Sequence, residues 1–162
     1  MCCWQGLRSN GEEGSLARRN KYLMGEKVRS AGVRAVKQQL CTTLPEVREF
    51  LDTLIDRSGA NRPLKSVVKP VQSAGTDDVF LCTSLEEAEL AFQRILGKIN
   101  GIGLLNDSVL VQEFLEGKEY VVDKVSKDGV HKVGSGRFPP SLCLPQFDIL
   151  LLVNAGCGYL GV

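Results

Sequence analysis

The chain has no long apolar run, no excess of one charge and no paired cysteine motif, and each absence removes a class of function. Its longest apolar run, residues 149–153, is far too short to cross a bilayer, which takes about 20 such residues. The opening, MCCWQGLRSNGEEG, lacks the apolar core of a secretory signal. Nothing membrane-seeking accompanies Cys2 and Cys3, which argues against lipidation there. Lys and Arg number 20 against 19 Asp and Glu, a formal net charge of +1, so no global field favours nucleic acid or an acidic membrane as a partner. There is one histidine, and the six cysteines contain no CxxC pair. That is neither a zinc pattern nor a disulfide framework, and with the missing signals it makes a reducing compartment, the cytoplasm, the expected setting.

What remains is an ordinary globular composition, 43% apolar and 24% charged over 162 residues, enough for one domain. Residues 1–14 read as a loose entry. Ser15 can cap a helix over 16–31 that Gly32 ends, and Arg18, Arg19 and Lys21 lie within it, by themselves a solvated face. Residues 33–38 suit a short strand. Thr43-Leu44-Pro45-Glu46 is a capping box for a helix whose apolar face is Val47, Phe50, Leu51, Leu54 and Ile55. Ser84-Leu85-Glu86-Glu87 repeats the box ahead of Ala88, Phe92, Ile95 and Ile99. Gly101-Ile102-Gly103 reads as a turn, since no strand leads directly into it. Strands are expected over 66–68, 79–82, 108–115, 119–126 and 130–133, with Asp128-Gly129 as a hairpin turn. The order predicts a small α+β unit with a largely antiparallel sheet.

Chemistry concentrates around SVVKPVQSAGTDD, residues 66–78. Lys69 sits where a β-branched strand ends, and Pro70 withholds the donor that would continue central pairing. Ser73, Ala74, Gly75 and Thr76 are small enough for another group to approach their backbone closely. One ammonium beside several free N–H groups is what a polyphosphate needs. Taken alone, the alternative is a solvated lysine at the end of an edge strand. In VLVQEFLEGKEY, Glu113 ends one strand and Glu119 begins the next, so a tight connection can bring two carboxylates to one cleft mouth, where one can accept from a ribose diol. Alone, these could equally be solvated glutamates beside a turn.

Together RRNKYLM, SVVKP, SAGTDDVFLC and VLVQEFLEGKEYVVD resemble, in that order, the ATP-grasp superfamily, and within it the carboxylate–amine ligases that join amino acids into dipeptides. The resemblance covers residues 10–133. It implies an ATP-binding lobe with a largely antiparallel sheet and flanking helices, incomplete here. It implies that Lys21 and Lys69 contact ATP phosphates, that Ser73, Ala74 and Gly75 form the loop closing over the β- and γ-phosphates, and that Glu113, Phe114 and Leu115 recognise adenine through backbone groups. Glu119 matches the acid that binds the ribose hydroxyls. In such ligases ATP phosphorylates a carboxylate, an amine attacks the acyl phosphate, and Mg²⁺ spans the phosphates.

The family's Mg²⁺ ligands come from later in the chain, and past Val133 there are only Asp148 and Asn154, in no recognisable frame. Arg137 is a poor match for the substrate-binding arginine. Residues 134–162 hold three prolines, five glycines and two charges, and read as a tail foreign to a domain spanning 15–133, as from a retained intron or shifted frame. The expectation is therefore the ATP-binding part of a ligase, cut at both ends. The competing expectations are a nucleotide-binding or interaction module without catalysis, and a chain with no stable fold.

Overall fold

The computed structural model describes residues 12–55, 63–116, 120–127, 130–137 and 150–151. The chain divides into two compact units, 13–114 and 1–12 with 115–162. The first contains α1 (Glu12–Arg19), α2 (Lys21–Ser30), β1 (Gln38–Cys41), α3 (Leu44–Leu54), β2 (Ser66–Pro70), β3 (Phe80–Cys82), α4 (Leu85–Ile95) and β4 (Val109–Glu113). Its four strands form one antiparallel sheet in the order β1-β4-β2-β3.

The strand period of two decides which side chains meet the helices. Cys41, Val68, Cys82, Val109 and Val111 turn to one face, where Val47 and Leu51 of α3 and Ala88, Phe92 and Ile95 of α4 complete the core. Both helices start as the capping boxes predict. The Glu46 carboxylate accepts from the N–H groups of Thr42 and Thr43 at 2.6 and 3.1 Å. Glu87 accepts from the Thr83 N–H at 2.7 Å, and Ser84 Oγ accepts from the Glu87 N–H at 3.2 Å. The Thr43 and Glu87 bonds satisfy donors that the helix N-termini leave open, and those from Thr42 and Thr83 fix the residue before each cap. Among the described residues no helix is long and apolar enough to cross a membrane.

Two local expectations are corrected. The single helix over 16–31 is two, broken at Asn20, whose backbone is extended at φ −105° and ψ 111°. Its side chain caps α2 by accepting from the Leu23 N–H at 2.9 Å. The Lys21 N–H, released from helical pairing, donates to the Val71 carbonyl at 3.0 Å. The strand expected at 33–38 lies instead at Gln38–Cys41, opposite Val109–Gln112 of β4. The preceding backbone turns back to α2: Val33 N–H reaches the Val28 carbonyl at 3.3 Å and Arg29 donates to the Val36 carbonyl at 2.6 Å.

In the second unit β5 (Tyr120–Lys127) pairs antiparallel with β6 (Val130–Arg137), and β7 (Leu150–Leu151) pairs parallel with β5. The expected Asp128-Gly129 turn lies outside the described residues, but the strands on either side meet as a hairpin, with Lys127 opposite Val130. The register passes from Asp123↔Ser135 to Lys124↔Val133, so Gly134 is the extra residue of a bulge. β6 continues through Arg137, past the boundary expected after Val133.

The sheet face away from α3 and α4 carries a buried amide pair that seats α2. Gln112 Nε2 donates to Gln38 Oε1 at 2.8 Å, and Gln38 Nε2 donates to the Tyr22 carbonyl and to Glu26, both at 2.9 Å. Gly25 makes this possible, because a Cβ there would lie 2.8 Å from both Gln38 Cδ and Oε1. Gly25→Ala should therefore destabilise the protein by about 1–3 kcal/mol despite alanine's better helix propensity. Urea unfolding of the two proteins measures this, and an unchanged or raised midpoint would contradict it.

Candidate anion-binding site

Strand β2 serves two faces. Ser66, Val68 and Pro70 are buried on the core side, while Val67 and Lys69 point the other way. Lys69 stands opposite Leu110 of β4, and Val67 stands between Gln112 of β4 and Leu81 of β3. Lys69 is thus half-buried on a largely apolar floor, and among the described residues no carboxylate pairs with it. Burial, and secondarily the neighbouring charge of Lys21, depress its pKa to about 8.

Lys21 arrives from α2. The Asn20 break makes it the first residue of that helix, and its N–H bond to Val71 ties the helix start to the chain leaving β2. Its ammonium donates to the carbonyl and to Oγ of Ser73, both at 3.0 Å. Burial also lowers the Lys21 pKa. Two cations with depressed pKa values therefore neighbour each other at the end of β2, and one of them is bonded to the loop that follows.

That loop has an unusual backbone. Gly75, Thr76 and Asp78 have φ of +66°, +62° and +51°, and for β-branched Thr76 this conformation is strained. The Asp77 N–H returns to the Ala74 carbonyl at 3.3 Å and the Val79 N–H to Thr76 at 3.3 Å. Among the described residues nothing accepts from the N–H groups of Ala74, Gly75 or Thr76, all of them exposed. Successive unpaired N–H groups in a left-handed turn make a concave, electropositive surface suited to an oxyanion.

The other predicted residues lie elsewhere on the same ladder. Glu113 is opposite Ser66, three pairs from Lys69 and Leu110, or about 10 Å along the strands. Its carboxylate is occupied, accepting from the Lys37 N–H at 2.7 Å, and its own N–H donates to the Lys37 carbonyl at 3.0 Å. The Phe114 N–H donates to the Lys65 carbonyl at 3.3 Å, and Lys65 Nζ lies 5.7 Å from the centre of the Phe114 ring. Leu115 is exposed and opens the second unit. Glu119 lies outside the described residues. The structure thus gathers Lys21, Lys69, Ser73, Ala74 and Gly75, and sets Glu113 and Phe114 at the far end of β4.

Two residues that the sequence reading did not single out hold the loop. Asn100 is buried and donates to the Gln72 carbonyl at 2.6 Å, and Asp77 accepts from the Gly101 N–H at 2.7 Å. The Gly101-Ile102-Gly103 segment is the turn expected, with Asn100 Oδ1 accepting from the Ile102 and Leu104 N–H groups at 3.2 and 3.0 Å. An Asn directly before a Gly-rich turn was the available signal.

No family profile matches the chain. Among curated proteins it is 45% identical over 121 residues to dapdiamide A synthase of Enterobacter agglomerans, covering 75% of this chain and 27% of that protein. It is 29% identical over 118 residues to alanine–anticapsin ligase of Bacillus subtilis, covering 70% of this chain and 23% of that one. The chain thus spans about a quarter of the length of these relatives. Among solved structures it resembles D-alanine–D-alanine ligase of Coxiella burnetii, with TM-score 0.56, 17% identity and coverage of 74% of this chain and 32% of that one. D-alanyl-alanine synthetase A of Vibrio cholerae gives TM-score 0.55 at 14% identity, covering 78% and 35%. At such identities the likeness speaks for the fold: an α+β, antiparallel portion of the ATP-grasp architecture.

Lys69 makes stability depend on pH with a definite sign. Its folded pKa of about 8 lies below the unfolded value of about 10.4, so over that window the unfolded chain holds more protons. Stability should rise with pH from about 8 to about 10.4 by up to about 3 kcal/mol relative to Lys69→Met, in which that contribution is gone. Urea unfolding of both proteins at pH 7.5, 8.5 and 9.5 tests this; parallel pH profiles would refute it.

Proposed function

The chain is a member of the ATP-grasp superfamily, and from that premise we propose that residues 13–114 grip the phosphates of ATP for a carboxylate–amine ligase. The observation carrying this reading is that Lys21, whose charge is felt by Lys69 at the end of β2, is bonded to a loop whose Ala74, Gly75 and Thr76 N–H groups have no acceptor among the described residues. Two cations with depressed pKa values and no carboxylate partner among the described residues favour the arrival of an anion, because each phosphate oxygen offsets both desolvation and mutual repulsion. At about 4 Å and an effective dielectric near 20, each ammonium–phosphate contact has a Coulomb term of roughly 4 kcal/mol before desolvation. Lys21 would exchange its Ser73 bonds for phosphate oxygens, freeing Ser73 to move with the loop.

The spacing along β4 supports the rest. A nucleotide with its phosphates at Lys69 would run toward Glu113 and Phe114, where backbone groups would meet adenine. Because the Glu113 and Phe114 N–H groups already pair with the Lys37 and Lys65 carbonyls, recognition there would draw on their own carbonyls.

Mg²⁺ would enter with the nucleotide. Among the described residues no group of three or more His, Cys, Asp or Glu side chains could hold a metal ion, so these residues do not fit a metal centre and no step is assigned through one. For the reaction we propose ligation of an amino-acid carboxylate to an amine through an acyl phosphate. The described residues would bind and orient ATP and shield its phosphates from water. Buried, free Cys41 and Cys82 suit a reducing cytoplasm, the compartment this reading takes.

Calorimetric titration of the whole chain with Mg-ATP and with AMP tests the reading. Lys69→Met should weaken Mg-ATP binding at least about tenfold, or 1.4 kcal/mol, with a small effect on AMP. Identical Mg-ATP isotherms for the two proteins would exclude the assigned phosphate site.

A further inference from the structure

The loop's strain needs a restraint, because left-handed Thr76 would relax if the ends of the span were free. At the entry, Asn100 Nδ2 donates to the Gln72 carbonyl at 2.6 Å. Asn100 is itself fixed: its Nδ2 also donates to Asn106 Oδ1 at 3.1 Å, and Asn106 Nδ2 donates to the Ile95 carbonyl of α4 at 3.3 Å. The entry is thereby anchored to a helix that packs in the core. At the exit, Asp77 Oδ2 accepts from the Gly101 N–H at 2.7 Å, on the same turn that Asn100 shapes. Residues 73–76 thus form a strained span between two posts on one turn, with Lys21 also bonded to Ser73.

We propose that Asp77 is a positioning residue: by latching the loop's exit to the Gly101 N–H, it holds Ala74, Gly75 and Thr76 with their N–H groups turned toward an oxyanion. The carboxylate does not touch the anion, and would repel it if it did. It acts through backbone, and Gly101 is small so that the latch can close, since a Cβ at that position would lie 3.0 Å from Asp77 Oδ2 and 3.3 Å from Cγ. The inference rests on the nucleotide reading above and adds a residue that the phosphate contacts alone do not identify.

The test uses the whole chain with inorganic triphosphate, Mg-ATP and AMP as separate calorimetric probes, and hydrogen exchange of the segment 72–79 without ligand. Asp77→Ala should weaken triphosphate and Mg-ATP roughly tenfold, the scale of a lost hydrogen bond to a charged group. AMP binding should stay unchanged, and exchange of the loop amides should accelerate. Asp77→Asn keeps an acceptor for Gly101 and should restore Mg-ATP affinity to within about threefold of wild type. Gly101→Ala, which crowds the latch while leaving residue 77 an aspartate, should reproduce the Asp77→Ala pattern.

Equal losses for AMP and Mg-ATP, or unchanged loop exchange in Asp77→Ala, would overturn the positioning role. If the wild-type chain binds Mg-ATP and triphosphate and Asp77→Ala binds them equally well, this inference fails while the phosphate site stands. If the wild-type chain binds neither, both fall.

Discussion

The side-to-side alternation of β2 is the constraint on which the rest of the first unit depends. Val68 and Pro70 must face α3 and α4 to close the core, which forces Lys69 onto the opposite face, above Leu110 and with no carboxylate beside it among the described residues. A one-residue slip would bury an ammonium in the core and expose Val68, so the apolar pattern that specifies the fold also specifies the cation's position. Lys21 depends on the same strand, because the carbonyl that receives its N–H belongs to Val71, the residue after β2. Fold and site are therefore not separable in this unit. The energy that fixes the register also maintains a cation in a place unfavourable to it.

Much of this was legible in the sequence where the signals are local. The capping boxes at Thr43 and Ser84 lie within four residues of their partners, and both helices begin where those boxes put them. SVVKP was legible as a strand, but not its extent or its faces: pairing with β4 carries it on through Lys69 and Pro70, and buries Ser66 while leaving Val67 half-buried. The break at Asn20 was not legible, because RRNKYLM is locally compatible with continuous helix and the carbonyl that draws Lys21 away is 50 residues further on. β1 was displaced for the same reason: its position is set by pairing with β4, some 70 residues away, and not by its own composition.

The predicted site residues divide in the same manner. Lys69 and the small-residue loop are near each other in sequence, whereas the bonds from Lys21 to Ser73 and from the Gly101 N–H to Asp77 cross long separations. Glu113 illustrates the converse. Its sequence neighbourhood offers a free carboxylate beside a turn, but the strand arriving at Gln38 brings the Lys37 N–H against it and engages it in structure. Sequence pattern reports which residue types are present; only the closed sheet determines which of them still have a valence to spend.

The strand order β1-β4-β2-β3 also imposes a sequence of events. β2 and β3 can pair early, since they are adjacent in the chain, but β1 has only β4 as a neighbour, and β4 is the last strand of the unit. Until residue 113 is available, β1 has no ladder and the apolar face of β2–β3 lacks the Val109 and Val111 side chains that complete the core. Closing that long loop is entropically costly before any contact compensates it, so assembly of the sheet is expected to be late, concerted and slow relative to the formation of α3 and α4. Lys21 is bonded to Val71 and Ser73, directly after β2, so the two cations meet where that strand ends, and their repulsion is a cost that the sheet's apolar core has to offset.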